Sequence, residues 1–199
     1  MPKQKLWLVI LTLGCIALIV LFLTLPKNPS SALEKAVTPV TTNPDSLKLM
    51  QAIDLVDGPN PMEGITLLRE LIEKDSNNVD AQYYLGLFSV KSGQIEKAEE
   101  RFAKVLALRP NDIRYQVEVG YQYMVLQMPE KGLACFERSL QLDSTDNNSL
   151  FFSAQALEQL GRLAEAKRNY EQLLRHNTDE VVAGKVQEFI DNINKQLIP

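Results

Sequence analysis

Apolar residues recur at helical spacing through most of the chain, and residues 79–110 show this pattern most clearly. These residues are predicted to form two amphipathic helices joined by a turn at Gly93, because apolar positions three and four apart share one helix face. Small residues stand where the two helices approach closely, and Phe102 fills the remaining space. The residues that mark this predicted hairpin are Leu85, Gly86, Ala98, Phe102 and Pro110.

The markers return at a fixed interval of 34 residues, with no insertion or deletion between copies. A helical unit of this length cannot bury its apolar face alone, so neighbouring units must stack. We therefore expect four hairpins, over residues 45–78, 79–112, 113–146 and 147–180. The recurring residues are Ala52, Gly64 and Leu68, then Gly120, Gly132 and Phe136, and then Ala154, Ala166 and Tyr170.

This register resembles the tetratricopeptide repeat family, whose units are helical hairpins of this period. The resemblance covers residues 45–180 and implies an all-α solenoid of stacked hairpins. Residues 181–199 are predicted to form one more helix with an apolar stripe. A stacked array must cover the exposed face of its last unit, so we expect this helix to be a cap; the alternative is a second binding element.

Several residues are placed to begin these helices. Asn60 precedes Pro61 and stands three residues before Glu63, an arrangement that predicts a capping box. Ser144 and Asp146 are both candidates to cap the first helix of the fourth hairpin.

The N-terminal pattern is different, because Leu6–Leu25 is uncharged over twenty positions. A helix of that length spans roughly 30 Å, the thickness of the bilayer core, so residues 6–25 are predicted to be a transmembrane helix. Lys3 and Lys5 favour a cytoplasmic segment at residues 1–5, with the repeats on the other side of the membrane. Residues 26–44, rich in Pro, Ser and Thr, are predicted to be a linker, the alternative being that they pack along the first hairpin.

Two other interpretations of the N-terminus stay open. A signal peptide cleaved near 30–32 would normally have a shorter apolar core, of about 7–15 residues. A lipoprotein would be modified at Cys15, but the apolar run continues for ten residues beyond it. The membrane helix fits the length of the run best.

Charge and composition exclude several function classes. The chain has a formal net charge of -4, and without residues 1–26 it holds 19 basic against 25 acidic residues, a net charge of -6. A partner with a phosphate backbone would need a basic face, so we expect no nucleic acid. Cys15 and Cys135 are too far apart in the pattern to suggest a disulfide. The one histidine, His176, has no Cys, Asp or Glu at ligand spacing, so we expect no metal, no cofactor and no enzymatic activity.

The resemblance also implies where a partner binds. In tetratricopeptide arrays the first helix of each repeat lines a concave groove. The family's clamp for a C-terminal carboxylate uses Lys and Asn there, and this chain has apolar and aromatic residues instead. We therefore expect an apolar peptide or helix as the ligand; the alternative is that some of these side chains are buried between helices. The predicted groove residues are Leu49, Ile53, Tyr83, Leu87, Val117, Tyr121, Met124 and Phe151.

Taken together, these features predict a membrane-tethered scaffold that mediates protein–protein interactions. The expected setting is a bacterial inner membrane, with the repeats on the extracytoplasmic side and a role in assembling or chaperoning an envelope protein complex. The layout is similar to that of membrane-tethered tetratricopeptide subunits that present apocytochromes for haem attachment. The alternatives are a cytoplasmic-facing adaptor and a regulatory subunit of a membrane enzyme complex.

Overall fold

Helices and short turns alternate along the part of the chain that the structure describes. The computed structural model describes residues 43–176 and 179–197. Within these ranges there are nine helices and no strand, which confirms the predicted all-helical fold. The helices are α1 (Pro44–Asp57), α2 (Pro61–Lys74), α3 (Val79–Lys91), α4 (Ile95–Leu108), α5 (Ile113–Val125), α6 (Pro129–Leu142), α7 (Asn147–Gln159), α8 (Leu163–His176) and α9 (Glu180–Leu197).

Consecutive helices pair as hairpins: α1 with α2, α3 with α4, α5 with α6, and α7 with α8. The second helices begin at Pro61, Ile95, Pro129 and Leu163, a constant spacing of 34 residues. Each hairpin packs on the next, and α9 packs on α8. This order of contacts, in which each unit touches its neighbours along the chain, is that of a helical solenoid.

The inside of the central hairpins explains why small and aromatic residues recur together. A Cβ atom on Gly86 would lie 2.6 Å from Cε1 of Phe102, and one on Gly120 would lie 2.6 Å from Cε1 of Phe136. Both phenylalanines are fully buried. The missing side chain therefore lets each ring lie directly against the backbone of the facing helix.

The turns inside the hairpins follow the same register, and two of the four matching positions hold a residue other than glycine. Gly93 and Gly161 have φ of +70° and +71°, and Gln127, at the matching position of the third hairpin, has φ of 59°. The left-handed region is unfavourable for a residue with a Cβ atom, so Gln127 carries strain that the two glycines avoid. In the first hairpin the matching residue is Pro59, whose ring prevents a positive φ.

The first helices of the later repeats have side-chain caps, whereas α2 does not. Asp146 accepts a hydrogen bond from the Ser149 N–H at 2.7 Å, which confirms one of the two predicted caps for α7. The predicted capping box at α2 is wrong: Asn60 stands at the N-cap position but its side chain makes no cap hydrogen bond. The Glu63 N–H donates instead to the Asn60 carbonyl at 3.1 Å, so the tight turn satisfies the backbone without the side chain.

At each junction between hairpins, the same two positions of the 34-residue repeat are buried, but the residue types at these positions differ from one junction to the next. Leu71 and Ala81 lie in the first apolar cluster, and Val105 and Tyr115 lie in the second. At the third junction the pair is Ser139 and Ser149, both fully buried, and the Ser149 hydroxyl donates to Oγ of Ser139 at 2.7 Å. The junctions are therefore sealed by aliphatic, aromatic and hydroxyl contacts in turn.

The last helix presents two different faces. Val186, Ile190 and Ile193 of α9 are buried in the cluster formed with α7 and α8. Gln187, Glu188 and Asp191 are exposed on the remaining surface. An apolar inner face with a polar outer face is the arrangement that ends a stacked array in water.

The predictions for residues 1–5, for the membrane helix at 6–25 and for nearly all of the linker at 26–44 lie outside the described residues. Among the helices of residues 43–176 and 179–197, none combines the length and the apolar character that a membrane crossing requires.

Candidate peptide-binding groove

The eight predicted groove residues lie on the first helices of the four hairpins, but they differ widely in exposure. Tyr121 on α5 is 46% exposed, whereas Tyr83 on α3 and Met124 on α5 are each only 8% exposed. The other five are half-buried, namely Leu49, Ile53, Leu87, Val117 and Phe151. Their role in binding stays a prediction, and Tyr121 offers the largest accessible fraction of the set.

Tyr83 is held by contacts within the array. Its ring centroid lies 6.1 Å from that of Phe102 and 5.9 Å from that of Tyr115 across the next junction. Burial raises the pKa of Tyr83, and the nearby carboxylate of Glu118 raises it further. The Tyr83 side chain therefore packs beneath the surface of the predicted groove.

The carboxylate of Glu118 has a buried oxygen atom, Oε2, that forms no hydrogen bond to any of the described residues. Burial raises the pKa of Glu118, while Arg114 and the hydroxyl of Tyr83 lower it. The protein therefore pays a desolvation cost here that the neighbouring cation offsets only in part.

Met124 is a core residue of its hairpin. Its sulfur lies 3.0 Å from the position that a Cβ atom would take on Gly132. The flexible thioether thus fills the space left by a glycine at the point where α5 and α6 meet. This packing accounts for the small exposed fraction of Met124.

Tyr121 belongs to an exposed apolar surface that also includes two residues outside the predicted set. Val125, one helical turn further along α5, is 48% exposed. The Tyr121 ring lies 5.3 Å from the ring of Phe152 on α7, and Phe152 in turn stacks on the buried Phe136 at 5.7 Å. We call Tyr121, Val125 and Phe152 the Tyr121 patch. Because its aromatic rings rest on the core, the patch is held in place without a ligand.

A cavity of about 490 Å³ lies between α7 and α9, and we call it the α7–α9 cavity. The predicted groove residue Phe151 lines it, with its ring 6.1 Å from the ring of Phe189. Tyr170 stacks on Phe189 with ring centroids 5.4 Å apart and an angle of 11° between the planes. The full lining is Asn147, Asn148, Phe151, Leu173, Val182, Lys185, Val186 and Phe189.

The predicted groove set stops at α7 and so omits the α9 wall of this cavity. The signal is present in the register: Val182, Lys185 and Phe189 stand 34 residues after Asn148, Phe151 and Gln155. The helix after the fourth hairpin thus presents groove positions although it has no partner helix of its own. A helix that closes the array can contribute to the same surface.

Metal binding in the described part of the chain would depend on the cysteine, the histidine and the acidic residues. In residues 43–176 and 179–197, no group of three or more His, Cys, Asp or Glu side chains could hold a metal ion. Cys135 is a buried free cysteine, and burial raises its pKa to about 12, so its thiol stays protonated and unreactive near neutral pH. His176 is exposed at the end of α8. The expectation that the chain is not an enzyme stays untested.

Comparisons with known proteins agree with this architecture. Residues 60–117 and residues 148–177 each match a family model described as tetratricopeptide repeat. No curated protein sequence matches the chain.

Several solved structures share the fold. A structure of MamA AMB-1 is 22% identical with a TM-score of 0.61, over 77% of this chain and 82% of that one. A double mutant of MamA RS-1, labelled ArsTM, is 15% identical with a TM-score of 0.58, over 77% of this chain and 96% of that one. The Yersinia enterocolitica type III secretion chaperone SycD, in complex with a peptide of the translocator YopD, is 20% identical with a TM-score of 0.53, over 62% of this chain and 98% of that one. The described part of this chain is therefore an all-helical solenoid of the tetratricopeptide type, in which residues 60–117 and 148–177 match tetratricopeptide repeats.

Proposed function

We propose that this chain is a membrane-tethered scaffold that holds an apolar segment of a partner protein in the groove lined by the first helices. The observation that carries the proposal is the Tyr121 patch. Tyr121 and Val125 are almost half exposed on neighbouring turns of α5, and Phe152 supports the Tyr121 ring from below. Rigid exposed apolar surface of this kind marks sites of protein–protein interaction.

The fold itself supports a peptide ligand. SycD, which shares the fold, was solved in complex with a peptide of a translocator. In this chain the corresponding class of partner would be an extended or helical segment whose apolar side chains cover the Tyr121 patch. The scaffold would then work by presenting or protecting that segment while a larger complex assembles.

Site-specific photo-crosslinking tests the groove. A photoreactive amino acid at position 121 of the full chain, in membranes of cells that contain it, is expected to give a discrete protein adduct. The matched control is position 187, since Gln187 is exposed on the outer face of α9, away from the groove. Substituting Val125→Gln and Leu87→Gln should reduce the adduct at position 121 severalfold. Equal adducts at positions 121 and 187, unaffected by these substitutions, would reject the proposal.

The tethering part of the proposal depends on the uncharged segment at residues 6–25 and on the lysines before it. It is tested with a single cysteine in the linker, Ser31→Cys, in a chain that also carries Cys15→Ser. Cys135 needs no replacement, because its buried thiol has a pKa near 12. A membrane-impermeant maleimide is expected to label intact cells from outside the inner membrane. Labelling only after lysis would favour the cytoplasmic-facing adaptor instead.

A further inference from the structure

We propose that the α7–α9 cavity anchors the partner segment by one large apolar side chain, while Lys185 pairs with an acidic side chain beside it. This inference rests on the proposed function, because it names the chemistry of the segment that the groove holds. It also gives α9 a role in recognition in addition to closing the array.

The floor and walls of the cavity are apolar and aromatic. The rings of Phe151 and Phe189 make an edge-to-face contact, with centroids 6.1 Å apart and an angle of 62° between the planes, and Leu173, Val182 and Val186 complete the apolar lining. A cavity of 490 Å³ falls within the range of pockets that enclose a small ligand, about 300–1,000 Å³. It is therefore large enough for a bulky side chain with part of its own backbone.

The aromatic wall is held in position before any ligand arrives. Tyr170 is fully buried and stacks on Phe189, and its hydroxyl donates to Oε1 of Glu158 at 2.6 Å. The stacked ring restricts the orientation of Phe189. A wall that is already ordered loses little conformational entropy when a side chain inserts against it.

Charge then selects the residue next to the anchor. Lys185 is the one charged residue among those that line the cavity, and it is exposed. No hydrogen bond or ion pair joins Lys185 to the rest of the described chain. Its ammonium is therefore available to a carboxylate, and opposite charges across an interface give specificity.

The carboxylate that fits best belongs to an Asp or Glu side chain within the segment. An ammonium on a flexible stem is a point charge that suits one carboxylate at the rim. Capture of a chain terminus usually relies on several donors that converge on the terminal group. Here the other polar lining residues are the uncharged Asn147 and Asn148. The segment therefore passes through the cavity, and does not end in it.

The register supports this path. Val182, Lys185 and Phe189 hold the positions on α9 that Asn148, Phe151 and Gln155 hold on α7. The groove positions therefore continue from the first helices of the hairpins onto α9, so one segment can cover both the Tyr121 patch and the cavity.

A peptide library tests the proposal with the full chain. The probes are pools of acetylated and amidated twelve-residue peptides with a central Trp and with Glu, Gln or Lys fixed at each of the four positions on either side. One pool has Ser in place of Trp, and another ends in a free carboxylate directly after Trp. Binding is measured by fluorescence anisotropy. At one or more positions, the Glu pool is expected to bind about fivefold more tightly than the Lys pool, as for a partly exposed ion pair.

Charge reversal at the cavity provides the decisive comparison. Lys185→Glu should invert the order of the Glu and Lys pools, whereas Lys195→Glu, at an exposed position nearer the end of the same helix, should leave the order unchanged. Val182→Gln should weaken every Trp pool severalfold without changing the order. Thermal unfolding followed by circular dichroism checks that each variant keeps its fold.

Four results would overturn the inference: equal binding of the Glu and Lys pools, an unchanged order in Lys185→Glu, binding only by the pool with a free carboxylate, or no binding by any pool. Tyr121→Ala and Val125→Gln, measured on the same pools, separate this inference from the proposed function. If binding depends on these residues but not on Lys185 or Val182, the groove proposal stands and the cavity proposal fails. If binding depends on neither pair, both fail.

Discussion

The junction between α4 and α5 and the junction between α6 and α7 occupy the same place in the repeat, yet they are built from opposite chemistry. In the first, Val105 and the wide ring of Tyr115 lie in one buried apolar cluster, and the Tyr115 hydroxyl donates to Oδ1 of Asp80 at 2.5 Å. In the second, Ser139 and Ser149 close on each other through one buried hydrogen bond. The backbones of α6 and α7 consequently approach more closely than those of α4 and α5.

This difference shows that the register fixes where hairpins meet but not how they adhere. A large aromatic residue stabilises a junction mainly by the apolar area that it buries. A buried pair of hydroxyls contributes little net free energy, but it becomes costly when only one partner remains. Four substitutions, taken from the largest expected effect to the smallest, can break or sharpen this comparison.

The largest effect is expected for Tyr115→Ala at the aromatic junction. Tyr115 is 2% exposed, so removing its ring leaves a cavity between two hairpins and should lower the free energy of unfolding by about 3–5 kcal/mol. Tyr115→Phe keeps the ring and loses only the bond to Asp80, so it should cost about 1 kcal/mol. Urea denaturation measures both. Equal losses would mean that the hydroxyl, and not the ring, seals this junction.

The serine junction should respond in a non-additive way. Ser139→Ala leaves the Ser149 hydroxyl buried without its acceptor and should cost about 1–3 kcal/mol. The double variant Ser139→Ala with Ser149→Ala removes both hydroxyls and should recover most of that loss. A double-mutant cycle by urea denaturation measures the coupling. Additive losses would contradict the hydroxyl pair as the feature that holds α6 and α7 together.

Glu118→Gln tests the desolvation cost of the Glu118 carboxylate, which lies near the aromatic junction. The amide is isosteric and avoids burial of a charge, so stability at pH 7 should rise by about 1 kcal/mol, the low end of a desolvation penalty because the carboxyl is partly exposed to solvent. Burial raises the pKa of Glu118, so the folded chain keeps this proton to a higher pH than the unfolded chain does. Protonation of Glu118 therefore stabilises the folded chain. This stabilisation is fully present below the pKa of the unfolded chain, and it is lost as the pH rises through the pKa of the folded chain.

The advantage of Glu118→Gln over the natural chain should therefore shrink on acidification to about pH 4, near the unfolded value for glutamate. Arg114, Asp80 and Asp112 also act on this carboxyl, so the difference between the two proteins is the relevant quantity. Glu188→Gln, at an exposed position of α9, is the control and should change stability by less than about 0.5 kcal/mol. A gap that is constant with pH would contradict the assignment.

The smallest effect is expected at the turn between α5 and α6, away from both junctions. Gln127→Gly removes a left-handed residue with a Cβ atom and should stabilise the chain by about 0.5–1 kcal/mol. Gly93→Gln makes the reverse change at the matching turn, where no atom would lie within 4 Å of the new Cβ, and should cost a similar amount. Thermal unfolding of the pair tests this, and changes of the same sign would contradict it.

The sequence was a good guide to the hairpins and a weaker one to the surfaces. The 34-residue register predicts the helices because small and aromatic residues must face each other inside each hairpin, as Gly86 and Phe102 do. It could not predict that Gln127 adopts a glycine conformation, because the turn is set by the two helices that it joins. The capping box at Asn60 failed for a similar local reason, since a tight backbone turn already satisfies the start of α2.

The groove was harder to predict because a register position does not determine exposure. Tyr83 and Tyr121 both lie on first helices, but Tyr83 packs against Tyr115 across an aromatic junction, while Tyr121 rests on the surface ring of Phe152. The α9 wall could have been found by extending the register one unit beyond the fourth hairpin. The apolar stripe of residues 181–199 predicted a cap, with a second binding element as the alternative, but the predicted groove set included none of its residues.

The unequal junctions also limit how this protein could change in length over evolution. Deleting residues 113–146 would keep the period but bring Ser149 against Val105, leaving a small hydroxyl where a tyrosine ring had filled the gap. Deleting residues 79–112 would force Tyr115 against Leu71, where an alanine had allowed a close approach. The hairpins are therefore not interchangeable. The gain or loss of one hairpin would have to be accompanied by mutations at the new junction.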